Sequence, residues 1–152
     1  MKTLLKKLIL STSLLGLLAL PALAECPRGD LDTRYCDVNG DLVADTPTDS
    51  SKWLDPDTLI FAYTPVEDPS VYRGVWADFL DNMEKVTGKK VIFFPVQSNA
   101  AQIEAMRSGR LHVAGFNTGS NPLAVNCAGF ESFAIMASLT GHFGYEMEII
   151  TY

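Results

Sequence analysis

The sequence predicts an α/β fold: a largely parallel sheet flanked by helices. Two observations carry that prediction. From Thr58 onward, short apolar β-rich segments alternate with segments of helical periodicity. The chain also has 152 residues, 47% apolar and 20% charged, which is enough for one domain with a real core and too few for a comfortable second one.

Taken in order, residues 58–63 (Thr-Leu-Ile-Phe-Ala-Tyr) read as a buried strand. Pro69 and Ser70 open a run in which Val71, Val75, Trp76, Phe79, Met83 and Val86 recur at helical spacing, and Gly88 closes it as a helix C-terminus prefers. This stripe reads as core packing. Residues 90–96 form the second strand. Asn99 caps a shorter helix running through Arg107 and stopping at Gly109. Residues 111–116 are the third strand, and residues 133–139 and 145–152 are expected to be further strands separated by a turn around Gly141.

Charge excludes one class of function. The formal net charge is −6; without the three lysines of the first 24 residues, nine bases face eighteen acids, a net −9. A field of that sign repels nucleic acid and anionic lipid.

Residues 1–24 have the layout of a secretory signal peptide. Lys2, Lys6 and Lys7 precede an apolar run over 8–20, and Pro21-Ala22-Leu23-Ala24 ends in small residues, with cleavage expected before Glu25. As a helix the run would be about 20 Å long, too short for a hydrocarbon core of about 30 Å. Glu25 stands directly before Cys26, where a lipid-modified cysteine needs a small residue. The expected product is a soluble periplasmic protein, not membrane-inserted. In that compartment Cys26 and Cys36 are placed to close a small disulfide loop, while Cys127, far away in an apolar context, reads as a buried thiol.

Residues 25–57 form an acidic leader with nine acids and three bases, followed by the lobe at 58–152. Within it, Asp37, Asn39, Asp41 and Asp45 occupy the first, third, fifth and ninth positions of a calcium-type loop. The match to an EF-hand loop is incomplete: Leu42 stands at the sharp-turn glycine position and Thr48 where a bidentate Glu belongs. The spacing is closer to the short Asp-rich loops of dockerin or thrombospondin-type repeats. Calcium in the leader and a solvated Asp/Gly linker are both open readings, and no other cofactor is called for.

In parallel α/β sheets ligands bind beyond the carboxyl ends of the strands. Two segments land there: residues 63–69 after the first strand and residues 117–122 after the third. The second, Asn117-Thr118-Gly119-Ser120-Asn121-Pro122, has hydroxyls, amides and a glycine, then a proline suited to a helix's first turn. Backbone N–H groups at such a turn suit an oxyanion. Thr118, Ser120 and, from the neighbouring strand end, Tyr63 supply hydroxyl donors. An ordinary capped turn has the same composition.

Together Leu59-Ile60-Phe61-Ala62-Tyr63-Thr64-Pro65, Phe94-Pro95-Val96-Gln97-Ser98-Asn99, Glu104-Ala105-Met106-Arg107-Ser108-Gly109-Arg110-Leu111-His112-Val113-Ala114, the 117–122 loop and Gly144-Tyr145-Glu146-Met147 resemble the phosphate/phosphite/phosphonate-binding proteins of ABC importers. The resemblance covers residues 54–152. It implies one lobe of a two-lobed periplasmic binding protein that closes over an oxyanion and docks on an importer permease. By that resemblance Tyr63, Thr118, Gly119, Ser120 and Asn121 are the first-lobe contacts. The family's second lobe has no counterpart in 152 residues, so the expectation is an incomplete lobe from a fragment or truncated product. The acidic leader is an addition to the family core.

Two rivals remain. An enzyme would need His112, His142 or the adjacent Glu67 and Asp68, yet no Ser or Cys stands in a nucleophile context with either histidine, and neighbouring acids usually point apart; the expectation is no catalysis. The other is a calcium-stabilised extracytoplasmic module, resting on the Asp37 to Asp45 loop, or a non-functional fragment, in either case without transport activity. Trp53 is expected to cover the lobe's edge, and the Lys89-Lys90 pair to be solvated.

Overall fold

The computed structural model describes residues 26–65 and 68–144. The signal-peptide and cleavage expectations, the strand at 145–152 and Glu67 therefore lie outside the described residues.

Three strands form one parallel sheet in the order β2-β1-β3: β1 (Thr58–Tyr63), β2 (Lys90–Phe93) and β3 (Val113–Gly115). Thr58 pairs with Lys90 through to Phe61 with Phe93 on one side of β1, and Phe61 with Val113 through to Tyr63 with Gly115 on the other. Side chains alternate across the pleat, so neighbouring residues of β1 serve opposite cores. Phe61 joins Val91 and Phe93 on one face, against Trp76, Leu80 and Met83. Ala62 joins Val96, Ala105, Leu111 and Ala114 on the other, with Met106, Phe116 and Phe130 packed alongside.

The helical run expected over residues 69–87 is two helices, α1 (Pro69–Val75) and α2 (Ala77–Thr87), broken at Trp76. The break resets the phase of the stripe. Trp76, Leu80 and Met83 face the sheet, whereas Val71, Val75 and Val86 are exposed. The Trp76 ring is held against Phe61 and Tyr63, with centroids 5.1 and 4.8 Å away, so the turn between helices is fixed by aromatic packing. Gly88 ends α2 in the left-handed region (φ +68°), and the Glu84 carboxylate accepts from the Val91 N–H, tying α2 to β2.

α3 (Asn99–Arg107) is capped by Ser98, one residue earlier than expected: its hydroxyl accepts from the Ala101 N–H at 3.1 Å. α4 (Asn121–Ala128) follows β3, with Pro122 in its first turn. Residues 133–139 are not a strand. Phe133, Ile135, Met136 and Leu139 are exposed, and only the turn at Gly141 (φ +81°) takes its expected form, with the Ser138 N–H donating to the His142 carbonyl. Among the described residues the segment pairs with no strand, and the outer edge of β3 is left without a partner.

The leader is folded against the lobe. Cys26 and Cys36 are disulfide-bonded, Leu31 and Asp37 are buried, and a short 3₁₀ turn spans Ser50–Lys52. Trp53 does not cover the lobe: it is more than half exposed and donates to the Pro47 carbonyl of its own segment. Lys89, expected to be solvated, instead donates to the Asp55 carboxylate and the Pro56 carbonyl, fastening the leader's end to the α2–β2 corner. No helix among the described residues is long and apolar enough to cross a membrane.

Candidate functional site

The carboxyl ends of β1 and β3 are joined by Thr64, which is 4% exposed. Its N–H and its hydroxyl both donate to the Gly115 carbonyl (2.9 and 3.1 Å), and its hydroxyl oxygen accepts from the Asn117 N–H at 3.2 Å. From below, the fully buried Gln102 of α3 donates its side-chain amide to the same Gly115 carbonyl at 3.0 Å. The start of the 117–121 turn is thus fixed to both strands.

Asn117 organises the turn itself. Its Oδ1 accepts from both the N–H and the hydroxyl of Ser120 at 2.8 Å, and its carbonyl accepts from the Asn121 N–H at 3.0 Å. The buried Ser120 hydroxyl therefore spends its proton inside the turn; what it offers outward is lone pairs. Thr118 and Gly119 are exposed at the tip. Asn121 accepts from the Ser132 hydroxyl through Oδ1 at 3.2 Å, which ties the first residue of α4 to the segment beyond it. Gly119 has an ordinary negative-φ backbone, and a Cβ there would meet nothing nearer than Asn117 Oδ1 at 3.6 Å. Glycine at this position is not demanded by the fold.

Tyr63 is placed from two sides. Its ring packs on Trp76, and it lies so close over Gly115 that any Cβ on that residue would collide with it. The five candidate contacts therefore sit at one end of the sheet, Tyr63 at the end of β1 and the other four in the turn after β3. Sequence reasoning missed Thr64, Asn117 and Gln102, the residues that hold the turn. All three are polar and adjoin recognised motifs, but their roles depend on contacts of up to 53 residues' separation. Asn99 Oδ1 and Gln102 Oε1 are buried acceptors without a hydrogen-bond partner among the described residues.

The other candidates lie elsewhere. His112 Nδ1 accepts from the Ile60 N–H at 3.0 Å and so extends the β1–β3 ladder. A groove of about 390 Å³ beside it is lined by Met106, Phe130, Glu131 and Phe133 among others and includes none of the five contacts. Cys127 is a half-buried free thiol on α4. In the leader loop, Asp37 accepts from the N–H groups of Gly40, Asp41 and Leu42, Asp41 from Val43, and Asp45 from Val38, while Asn39 and Asp41 bond each other. Asp37, Asn39, Asp41 and Asp45 share one turn, closed on its own amides. Among the described residues no group of three or more His, Cys, Asp or Glu side chains is arranged to hold a metal ion.

Comparison with known proteins adds to this geometry. A family model described as "ABC transporter, phosphonate, periplasmic substrate-binding protein" matches residues 61–152, more than half of the chain. Among solved structures, a binding protein component of an ABC phosphonate transporter from Pseudomonas aeruginosa is 26% identical with a TM-score of 0.54, the match covering 58% of this chain and 29% of that one. The chain thus spans less than a third of that protein's length. No curated protein matches.

Proposed function

Because the chain belongs to the periplasmic substrate-binding proteins of ABC phosphonate transporters, we propose that its 58–144 region is an oxyanion-binding lobe serving import of phosphonate, phosphite or phosphate. One observation carries the proposal: the 117–121 turn follows a parallel strand, opens α4, and is pinned by Thr64 from the strand beside it. The Asn117, Ser120 and Asn121 N–H groups are already bonded at the site, so an anion would exchange with those bonds or meet the turn at the exposed Gly119 backbone, favoured by the partial positive charge of the α4 start and without any lysine or arginine in the turn. Tyr63 contributes a phenol from the neighbouring strand end. In a two-lobed protein the closed form desolvates the anion and is the form a permease recognises, so binding and docking are one equilibrium. A phosphonate differs from phosphate by one hydroxyl, so a site of neutral donors separates them by a hydrogen bond and by room for the organic group.

The test is calorimetric titration of the full chain with methylphosphonate, phosphite and phosphate, with sulfate as control, beside Gly119→Ala. A methyl group fits the fold at position 119, but it stands where an anion would approach the backbone. The expected result is binding of at least one of the three anions, and an affinity about tenfold weaker in Gly119→Ala at unchanged Tm. Binding of none of the three overturns the proposal, as does a Gly119→Ala variant with unaltered affinity.

A further inference from the structure

We infer that Arg34, in the disulfide-closed leader, is a positioning residue for the anion-binding turn at the opposite end of the lobe. In a parallel α/β layer, helices begin at the carboxyl ends of the strands and finish at their amino ends. The leader sits where α3 and α4 finish. Arg34 Nη1 donates to the carbonyl of Arg107, the last residue of α3, at 3.0 Å, and Nη2 donates to the carbonyl of Cys127, in the last turn of α4, at 3.1 Å. The Asp32 N–H donates to the Asn126 carbonyl at 2.7 Å. These carbonyls have no partner within their own helices. A guanidinium between them also complements the negative ends of both helix dipoles. Its two donors have fixed relative geometry, so a single side chain sets the spacing of two helices.

The fork is itself aimed. Asp32 Oδ1 accepts from Arg34 Nε and Oδ2 from Arg107 Nη2, both at 3.0 Å. A second, independent contact fixes the same helix end. The Tyr35 ring occupies the space a side chain at Gly129 would need: a Cβ there would lie 2.7 Å from the ring. Gly129 is the left-handed C-cap of α4 (φ +63°), so the helix ends in the one residue type that admits both the turn and the ring. The Cys26–Cys36 disulfide closes the loop bearing these groups.

α4, at eight residues, is about 12 Å long. A rod that short transmits a change at its C-terminus to its first turn, where Ser120 and Asn121 belong to the candidate site. The family match begins at residue 61, so the strap lies outside it. The effect on ligand rests on the proposed function; the effect on the helices does not.

Hydrogen exchange on the full chain tests it, read at the Gln102 and Ala124 amides, which form the first-turn bonds of α3 and α4 with the carbonyls of Ser98 and Ser120. Arg34→Ala should speed exchange at both by about tenfold, the effect of losing a bridging pair of charge-assisted hydrogen bonds. Arg34→Lys, which can hold one carbonyl at a time, should recover part of it, and reducing the disulfide in the unmodified chain should reproduce it. Val91→Ala, in the core on the other face, is the control for general destabilisation: it should speed exchange of the β2 amides at least as much as that of Gln102 and Ala124, without the selective effect on those two. If the chain binds an anion, Arg34→Ala weakens that binding and Val91→Ala does not. Unchanged exchange at Gln102 and Ala124 in both Arg34→Lys and the reduced chain overturns the inference. Absence of anion binding by the wild type counts against the proposed function alone, since exchange still decides the positioning role.

Discussion

Residues 26–45 and residues 130–143 invert the usual relation between apolar content and burial. The first segment is acidic and carries few large apolar side chains, yet it buries Leu31 and Asp37 and is held by a disulfide and a lattice of side-chain to backbone hydrogen bonds. The second carries Phe130, Phe133, Ile135, Met136, Leu139 and Phe143. Of these only Phe130 packs into the lobe, edge-on to Phe116 at 5.0 Å, and Phe133 is 77% exposed. Apolar surface stabilises only where another surface removes it from water. Polar side chains order a segment wherever backbone amides and helix ends need partners.

The comparison breaks most readily in the core that both segments lack. Phe61→Ala, at the centre of contacts with Trp76, Phe79 and Phe93, should cost about 3–5 kcal/mol, while Phe133→Ala should fall within about 0.5 kcal/mol of wild type by urea unfolding. A loss at Phe133 similar to that at Phe61 would mean the second segment is packed after all. Replacing both Cys26 and Cys36 by Ser should cost about 2–3 kcal/mol, measured as a lowered Tm that reductant no longer affects. Asp37→Ala removes the acceptor from three turn amides and should cost about 2 kcal/mol; Asp37→Asn should retain part of that.

The smallest effect is a pH dependence. Hydrogen bonds from the Arg34 side chain and N–H, and then from Arg107, hold the Asp32 carboxyl below its ordinary value of 3.8. A depressed native pKa means the contribution is complete above the unfolded value and is lost as acid protonates the native carboxylate. Acid unfolding of wild type should therefore show a decline below about pH 4 that is shallower in Arg34→Ala. Because the Arg34 and Arg107 side chains that hold Asp32 are themselves open to solvent, water and salt screen the pairs and the difference should be small.

The parallel sheet was legible because strand and helix periods alternate cleanly from Thr58 to Arg107, and β1 and α3 fall where the pattern puts them. The break at Trp76 was not, because Val75 and Trp76 both continue an apolar stripe and only the rings of Phe61 and Tyr63 decide which one turns inward. The segment at 133–139 has strand-like composition, but composition cannot supply a neighbouring strand. In the candidate site the positions of the turn after β3 and of Tyr63 at the end of β1 were legible, but the donor role expected of the Ser120 hydroxyl was not, since its proton goes to Asn117 Oδ1. Thr64, Asn117 and Gln102 were not, since each acts by a hydrogen bond that only the folded sheet brings within reach. Arg34 was least legible of all, its carbonyl partners lying 73 and 93 residues away.

The claim that the 117–121 turn is an oxyanion site is most directly tested by following backbone amide resonances of the full chain as millimolar methylphosphonate is added. Shifts concentrated at Thr64 and at residues 117–121, and absent with sulfate, are the predicted result. No shift in those amides, or equal shifts with every anion spread over the surface, would contradict it.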